Sequence, residues 1–246
     1  MTSPPLLPAG FVRATVAVLH TKQETPSVRS IRVTKPDGFS FRASQAVRLT
    51  LRGPQGPVAH PFSIASSPMR GYLEFAARYS ESDFKRAFFD LQPGDEVEIL
   101  GPRGDFFLEA DAPGVLVAAG VGITPLKSML EYATDAALPT RLTLVYGNRS
   151  PEEIAFRDDL ADLARANPHV AIMHTVTAPS QDWRERVGRI EAALLKEASD
   201  GQPDALYYLA GPTRMVEEAY RATASLGVPD SRIRYEVFRG YGDLWE

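Results

Sequence analysis

The hydrophobic period of this chain changes once, near Asp111-Ala-Pro-Gly114, and no single regular architecture accommodates both sides of that change. Before it, short alternating segments at residues 11–19, 30–34, 47–51, 72–76 and 96–100 are punctuated by turn signals at 36–38, 53–57, 68–71 and 93–94. Such a series predicts a small antiparallel barrel or sandwich. One helix interrupts it over 82–91, where Phe84, Ala87, Phe88 and Leu91 share a face. After the change, strands are expected at 114–119, 141–146, 169–176, 205–209 and 232–236. Helices are expected to about 133 and over 151–166, 189–198 and 212–226. Strands alternating with helices predict a parallel α/β sheet.

Composition narrows the chemistry. The 246 residues contain no cysteine and four histidines at scattered positions, so thiolate nucleophiles, disulfides and Cys-held metal centres are excluded and no metal site is expected. Redox chemistry on this chain therefore needs an organic cofactor. A formal net charge of −4 argues against a nucleic-acid partner. No apolar run reaches the ~20 residues of a membrane helix. The start, MTSPPLLPAGF, is broken by proline and lacks the basic region of a signal peptide. A soluble cytoplasmic protein is expected.

The strongest local signal is Gly120-Val-Gly-Ile-Thr-Pro125, where a buried strand delivers the chain to two glycines. Glycines permit a tight turn and close backbone approach. With Thr124 as helix cap and Pro125 as first helical residue, the free N–H groups and positive dipole end of the helix would face a phosphate at the turn. An ordinary strand–turn–helix corner would need the same glycines. The usual dinucleotide fingerprint is incomplete, because Pro125 holds the third glycine position and the second strand ends in Tyr146-Gly-Asn-Arg149 without an acidic residue.

Five segments in order resemble the ferredoxin–NADP reductase-like flavoprotein superfamily: His60-Pro-Phe-Ser-Ile-Ala-Ser-Ser-Pro68, Gly101-Pro-Arg-Gly-Asp-Phe106, Gly120–Pro125, Gly211-Pro-Thr-Arg-Met215 and Glu236-Val-Phe-Arg-Gly-Tyr241. The resemblance implies two domains. The first, residues 1–110, would be an antiparallel six-stranded-type β-barrel that binds FAD. The second, residues 111–246, would be an α/β parallel-sheet domain that binds NAD(P)H. It implies that Phe62 packs on the isoalloxazine and that Ser63 hydrogen-bonds near flavin N5. His60, beside Pro61, stands where relatives carry an arginine for the FAD pyrophosphate. Arg78 and the short helix with Ser82, Phe84 and Lys85 are then further phosphate-side candidates.

On the nucleotide side the resemblance assigns Gly120, Gly122, Ile123, Thr124 and Pro125 to the pyrophosphate. It assigns Asn148, Arg149, Gly211, Pro212 and Met215 to the rest of the NAD(P)H site. Ala210 replaces the cysteine that many relatives have beside the nicotinamide. Ser63, Glu236 and Phe238 are the expected catalytic residues, with Glu236 orienting the nicotinamide or relaying protons and Phe238 shielding the flavin. Arg149, Arg184 and Arg186 are candidates for a 2′-phosphate, and the choice between NADH and NADPH stays open.

The activity implied is hydride transfer from NAD(P)H to FAD and electron transfer onward to an external acceptor, a protein of ferredoxin or flavodoxin type or an oxygenase partner. Flavin as a diffusible substrate and a non-catalytic nucleotide-binding or electron-transfer subunit are the alternatives.

Overall fold

The computed structural model describes residues 11–238. The first half forms one curled antiparallel sheet of six strands: β1 (Val12–Thr25), β2 (Val28–Thr34), β3 (Ala46–Gly53), β4 (Gly56–Ser63), β5 (Tyr72–Arg78) and β6 (Glu96–Arg103). Their spatial order is β4-β3-β6-β1-β2-β5. Alternation turns Val16, Val18, Ile31, Val33, Val47, Leu49, Leu51, Val97 and Ile99 into one core. Helix α1 (Asp83–Asp90) closes that core with Phe84 and Phe88.

The second half is a six-stranded, all-parallel sheet with order β10-β9-β8-β7-β11-β12. Its strands are β7 (Gly114–Ala119), β8 (Leu142–Asn148), β9 (Val170–Val176), β10 (Arg186–Val187), β11 (Leu206–Pro212) and β12 (Ile233–Phe238). Helices α2 (Ile123–Asp135) and α3 (Arg157–Ala166) cover one face; α4 (Ala192–Ala198) and α5 (Thr213–Ser225) cover the other. Burial on both faces explains why β7 reads as an unbroken apolar run, Gly-Val-Leu-Val-Ala-Ala.

Three local expectations are corrected. Residues 53–57 contain the turn, but the chain resumes pairing at Gly56, and β4 runs through His60 to Ser63 in register with β3. Pro57 and Pro61 hide this strand from a propensity reading, yet β4 lies at the sheet edge, where proline removes no ladder bond. Thr124 is not a helix cap: a 3-10 turn at Gly120–Gly122 runs directly into α2, so the Thr124 hydroxyl donates to the Val121 carbonyl (3.0 Å) and Pro125 is the third helical residue. The single helix expected over 151–166 is a 3-10 turn, Pro151–Glu153, followed by α3, with Phe156 at φ +58° between them.

The two sheets meet across α2. Lys127 is fully buried there and donates to Glu74 of β5 (2.7 Å) and Glu131 of α2 (2.8 Å). Arg32 takes the second Glu74 oxygen at 2.7 Å, and the Ser67 amide donates to the second Glu131 oxygen at 2.8 Å. The Ser44 amide donates to Ser128 Oγ, which donates in turn to the Ser66 carbonyl. Burial by itself would raise the Glu74 carboxyl, but Lys127 and Arg32 outweigh it and hold the group below its ordinary pKa. That contribution to stability is present above the unfolded carboxylate range and is lost as pH falls through the folded value. Lys127→Met strips the shared cation from two buried carboxylates and should destabilise the protein by about 3–5 kcal/mol. The check is the shift of the urea unfolding midpoint at neutral pH.

Candidate active site

A cavity of about 290 Å³ opens where β4 and β5 of the barrel face the glycine turn and β12. It is lined by His60, Pro61, Phe62, Ser63, Arg78, Lys85, Thr124, Glu236 and Phe238, together with Ala46, Ala76, Ser80, Val121 and Val237. Antiparallel pairing with β3 points Phe62 inward, where it stacks on Phe84 and Phe88 (centroids 5.4 Å for each) and meets Phe75 edge-on. Ser63, next along β4, crosses to the other half of the molecule: its hydroxyl donates to Glu236 Oε2 at 3.0 Å. Burial pushes the Glu236 carboxyl up to about 7; the Ser63 hydrogen bond opposes that shift and the charge of Asp105 adds to it.

The cation arrangement on the barrel side is unusual. Burial, with the charge of Lys85 nearby, lowers the pKa of the His60 imidazole against the effect of the Pro61 carbonyl that it bonds. His60 is therefore mainly neutral at pH 7. Lys85 is half-buried, 4.6 Å from the centre of the Phe62 ring, and has no carboxylate partner among the described residues. Burial pulls its ammonium down to about 8. Ser82 caps α1 by accepting from the Lys85 amide (3.3 Å), so the lysine stands in the first turn of a helix, where a cation is disfavoured without an anion. A desolvated ammonium without a carboxylate partner among the described residues, beside an aromatic wall, fits a phosphate-bearing flavin.

A second cleft adjoins the first and shares Arg78 with it. Gly120, Asn148, Arg149, Pro212 and Met215 line this cleft with Gly147, Glu153, Thr177, Gly188, Arg189, Arg214 and Glu218. Gly120 has φ +52° and open space where a side chain would stand, whereas a Cβ on Gly122 would lie 2.3 Å from the Ala210 carbonyl oxygen. Gly122 is thus required by packing against β11, and Gly120 by the turn. Asn148 Nδ2 is buried and has no hydrogen-bond partner, which fits a polar ligand in the cleft.

Several expected residues lie outside both hollows. Ser82 caps α1 and Phe84 stands behind Phe62, while Ile123 and Pro125 are buried residues of the first turn of α2. Gly211, at φ +150°, packs against Ala119 and Met215. Arg184 and Arg186 are absent from the cleft lining; Arg186 pairs with Glu197. Sequence reasoning missed Arg189 and Arg214, both paired with Glu218, and Glu153, which binds Arg78 at 2.6 Å across the seam. No local signal marked them, because each pair joins distant segments or an ordinary helix surface. Arg239–Tyr241 and Trp245 fall outside the described residues. Among the described residues no cluster of His, Asp and Glu could hold a metal, and no helix is long and apolar enough to cross a membrane.

A barrel hollow and a second cleft joined at one glycine turn give the molecule two adjoining ligand-sized sites, the layout of a two-substrate enzyme. Residues 116–221 match the family model for the oxidoreductase NAD-binding domain. The chain is 32% identical to ferredoxin–NADP reductase B of Sorangium cellulosum over 227 residues, covering 87% of this chain and 93% of that protein. It is 30% identical to NADH-cytochrome b5 reductase 1 of Candida glabrata over 169 residues, spanning 66% of this chain and 59% of that one. Its fold matches the flavohem-like FAD/NAD-binding domain of nitric oxide dioxygenase from Vibrio cholerae, with a TM-score of 0.82 at 23% identity, over 91% of this chain and 98% of that one. The chain belongs to the ferredoxin–NADP reductase-like flavoprotein superfamily. It is an NAD(P)H-dependent flavoprotein reductase, with FAD as cofactor and NAD(P)H as co-substrate.

Glu236 should titrate near pH 7 in the folded protein, read from its carboxyl carbon resonance. Ser63→Ala removes the hydrogen bond that favours the charged form and should move that midpoint upward.

Proposed function

We propose that this protein passes hydride from NAD(P)H to FAD and delivers the electrons to a separate redox protein of ferredoxin or flavodoxin type, or to an oxygenase partner. One observation carries the reading: the two hollows share Arg78 and adjoin at Gly120–Val121, so a flavin in one and a nucleotide in the other would be neighbours, with Ser63 and Glu236 on the flavin side. The name of the Sorangium relative supports the ferredoxin-type acceptor. FAD, when bound, accepts a hydride and releases its electrons onward.

The chain's residues hold and align the reactants. Phe62, backed by three phenylalanines, presents a stiff wall for the isoalloxazine, and Ser63 sets the polar contact near N5. Lys85, in the first turn of α1, binds the pyrophosphate, and His60 supplies a neutral hydrogen-bonding group beside it. Phe238 covers the flavin face until the nicotinamide arrives. Glu236, protonated or charged near neutral pH, accepts from Ser63 at Oε2, can carry a proton on its other carboxyl oxygen, and orients the nicotinamide. Gly120 and the amides that follow it receive the NAD(P)H pyrophosphate, with Asn148 and Arg149 beside the adenosine portion. Proximity and exclusion of water are the main contributions such a site can make.

A second reading, with flavin as a diffusible substrate, is favoured by the neutral His60 where relatives carry arginine. Gel filtration separates the two: a yellow protein with one FAD per chain supports the first reading, and a colourless chain that still reduces added flavin supports the second. A chain that binds no flavin and oxidises no NAD(P)H with ferricyanide contradicts both. Lys85→Met should weaken FAD binding about tenfold or more, since a charge-assisted hydrogen bond contributes ~1.5–3 kcal/mol. Equilibrium dialysis of the FAD-depleted protein measures it.

A further inference from the structure

Tyr146 is, with Tyr208, the largest fully buried side chain among the described residues, and its one polar atom is directed at the glycine turn. It sits on β8, in register with Ala118 of β7 and His174 of β9, directly beneath the point where β7 ends. Its hydroxyl donates to the Gly120 carbonyl at 2.9 Å. The same carbonyl accepts the Ile123 amide that closes the 3-10 turn, so both of its lone pairs are used. Burial raises the phenol's pKa, which keeps the donor proton in place throughout the neutral range.

We infer that Tyr146 is a positioning residue for the dinucleotide pyrophosphate, acting through the Gly120 peptide. In a trans peptide the amide hydrogen points opposite to the carbonyl oxygen. Fixing the Gly120 carbonyl inward on Tyr146 therefore fixes the Val121 amide outward, toward the junction of the two hollows. The turn needs this anchor. Gly122 is wedged under the Ala210 carbonyl, but Gly120 meets nothing within 4 Å on its open side and has glycine's freedom in φ. Packing holds one end of the turn and the tyrosine hydroxyl holds the other. Without the hydroxyl, the turn spends less time in the binding-competent geometry, and apparent affinity falls by that fraction.

The inference rests on the reading of Gly120 as the pyrophosphate turn, and two variants of the FAD-loaded protein separate them. Tyr146→Phe keeps the ring and removes the donor; Gly120→Val fills the open side of the turn. Calorimetric titration uses ADP-ribose, which carries a pyrophosphate, and AMP, which does not. Tyr146→Phe should weaken ADP-ribose about fivefold, the worth of a single hydrogen bond. AMP affinity, FAD content and kcat should hold while KM for NAD(P)H rises. Gly120→Val should also weaken ADP-ribose. If Gly120→Val weakens it and Tyr146→Phe does not, the inference fails and the turn assignment stands. If neither variant changes it, the turn assignment itself fails. Equal weakening of ADP-ribose and AMP by Tyr146→Phe means general loosening and overturns the positioning role. Independently of any variant, the Tyr146 hydroxyl proton of the native protein should exchange slowly by NMR, and more slowly with ADP-ribose; fast exchange contradicts the anchor.

Discussion

Lys127 joins the two halves of the molecule. Its ammonium is fully buried between Glu74 of the barrel and Glu131 of its own helix, and every oxygen of both carboxylates has a partner. Desolvating three charges is expensive, and such a cluster is seldom the most stabilising filling for a core. What it supplies here is a defined geometry: hydrophobic packing tolerates sliding, whereas a shared cation with fixed hydrogen bonds does not. Helix α2 that carries Lys127 also begins at the glycine turn, so the same element sets the relation of barrel to sheet and the position of the nucleotide cleft. The Ser63–Glu236 and Arg78–Glu153 contacts cross the same seam near the reaction centre.

The site's electrostatics follow from where cations are left without carboxylates. Arg78, Arg189 and Arg214 are paired with Glu153 or Glu218. Lys85 has no such partner among the described residues and lies on the flavin side, at the start of α1. Beside it stands His60, whose pKa burial lowers. On the proposed reading, the positive charge available to a flavin phosphate on this side comes from helix α1.

How much of this was legible in the sequence depended on range. The two-period division and the alternation of β7, β8, β9, β11 and β12 with helices were visible because each depends on neighbours within one turn or one strand pair, whereas the two-residue β10 was not expected. Strand β4 was obscured by Pro57 and Pro61, whose tolerance depends on being at the sheet edge, a property of strand order. Thr124 was read as a cap because the sequence does not reveal that a 3-10 turn merges into α2. Phe62, Ser63, Glu236 and Gly120 were found from their motifs, and they do line adjoining hollows. The Lys127–Glu74 and Arg78–Glu153 pairs, separated by more than fifty residues, carry no local signature.

On the proposed reading, this seam presents a nicotinamide to a flavin at transfer distance. Anaerobic stopped-flow mixing of the FAD-loaded protein with NADH and NADPH, each also deuterated at the transferred position, tests it most directly. The account predicts that one equivalent of at least one nucleotide bleaches the flavin band in a single turnover, with a primary deuterium isotope effect. A protein that binds both FAD and nucleotide yet leaves the flavin oxidised would contradict it.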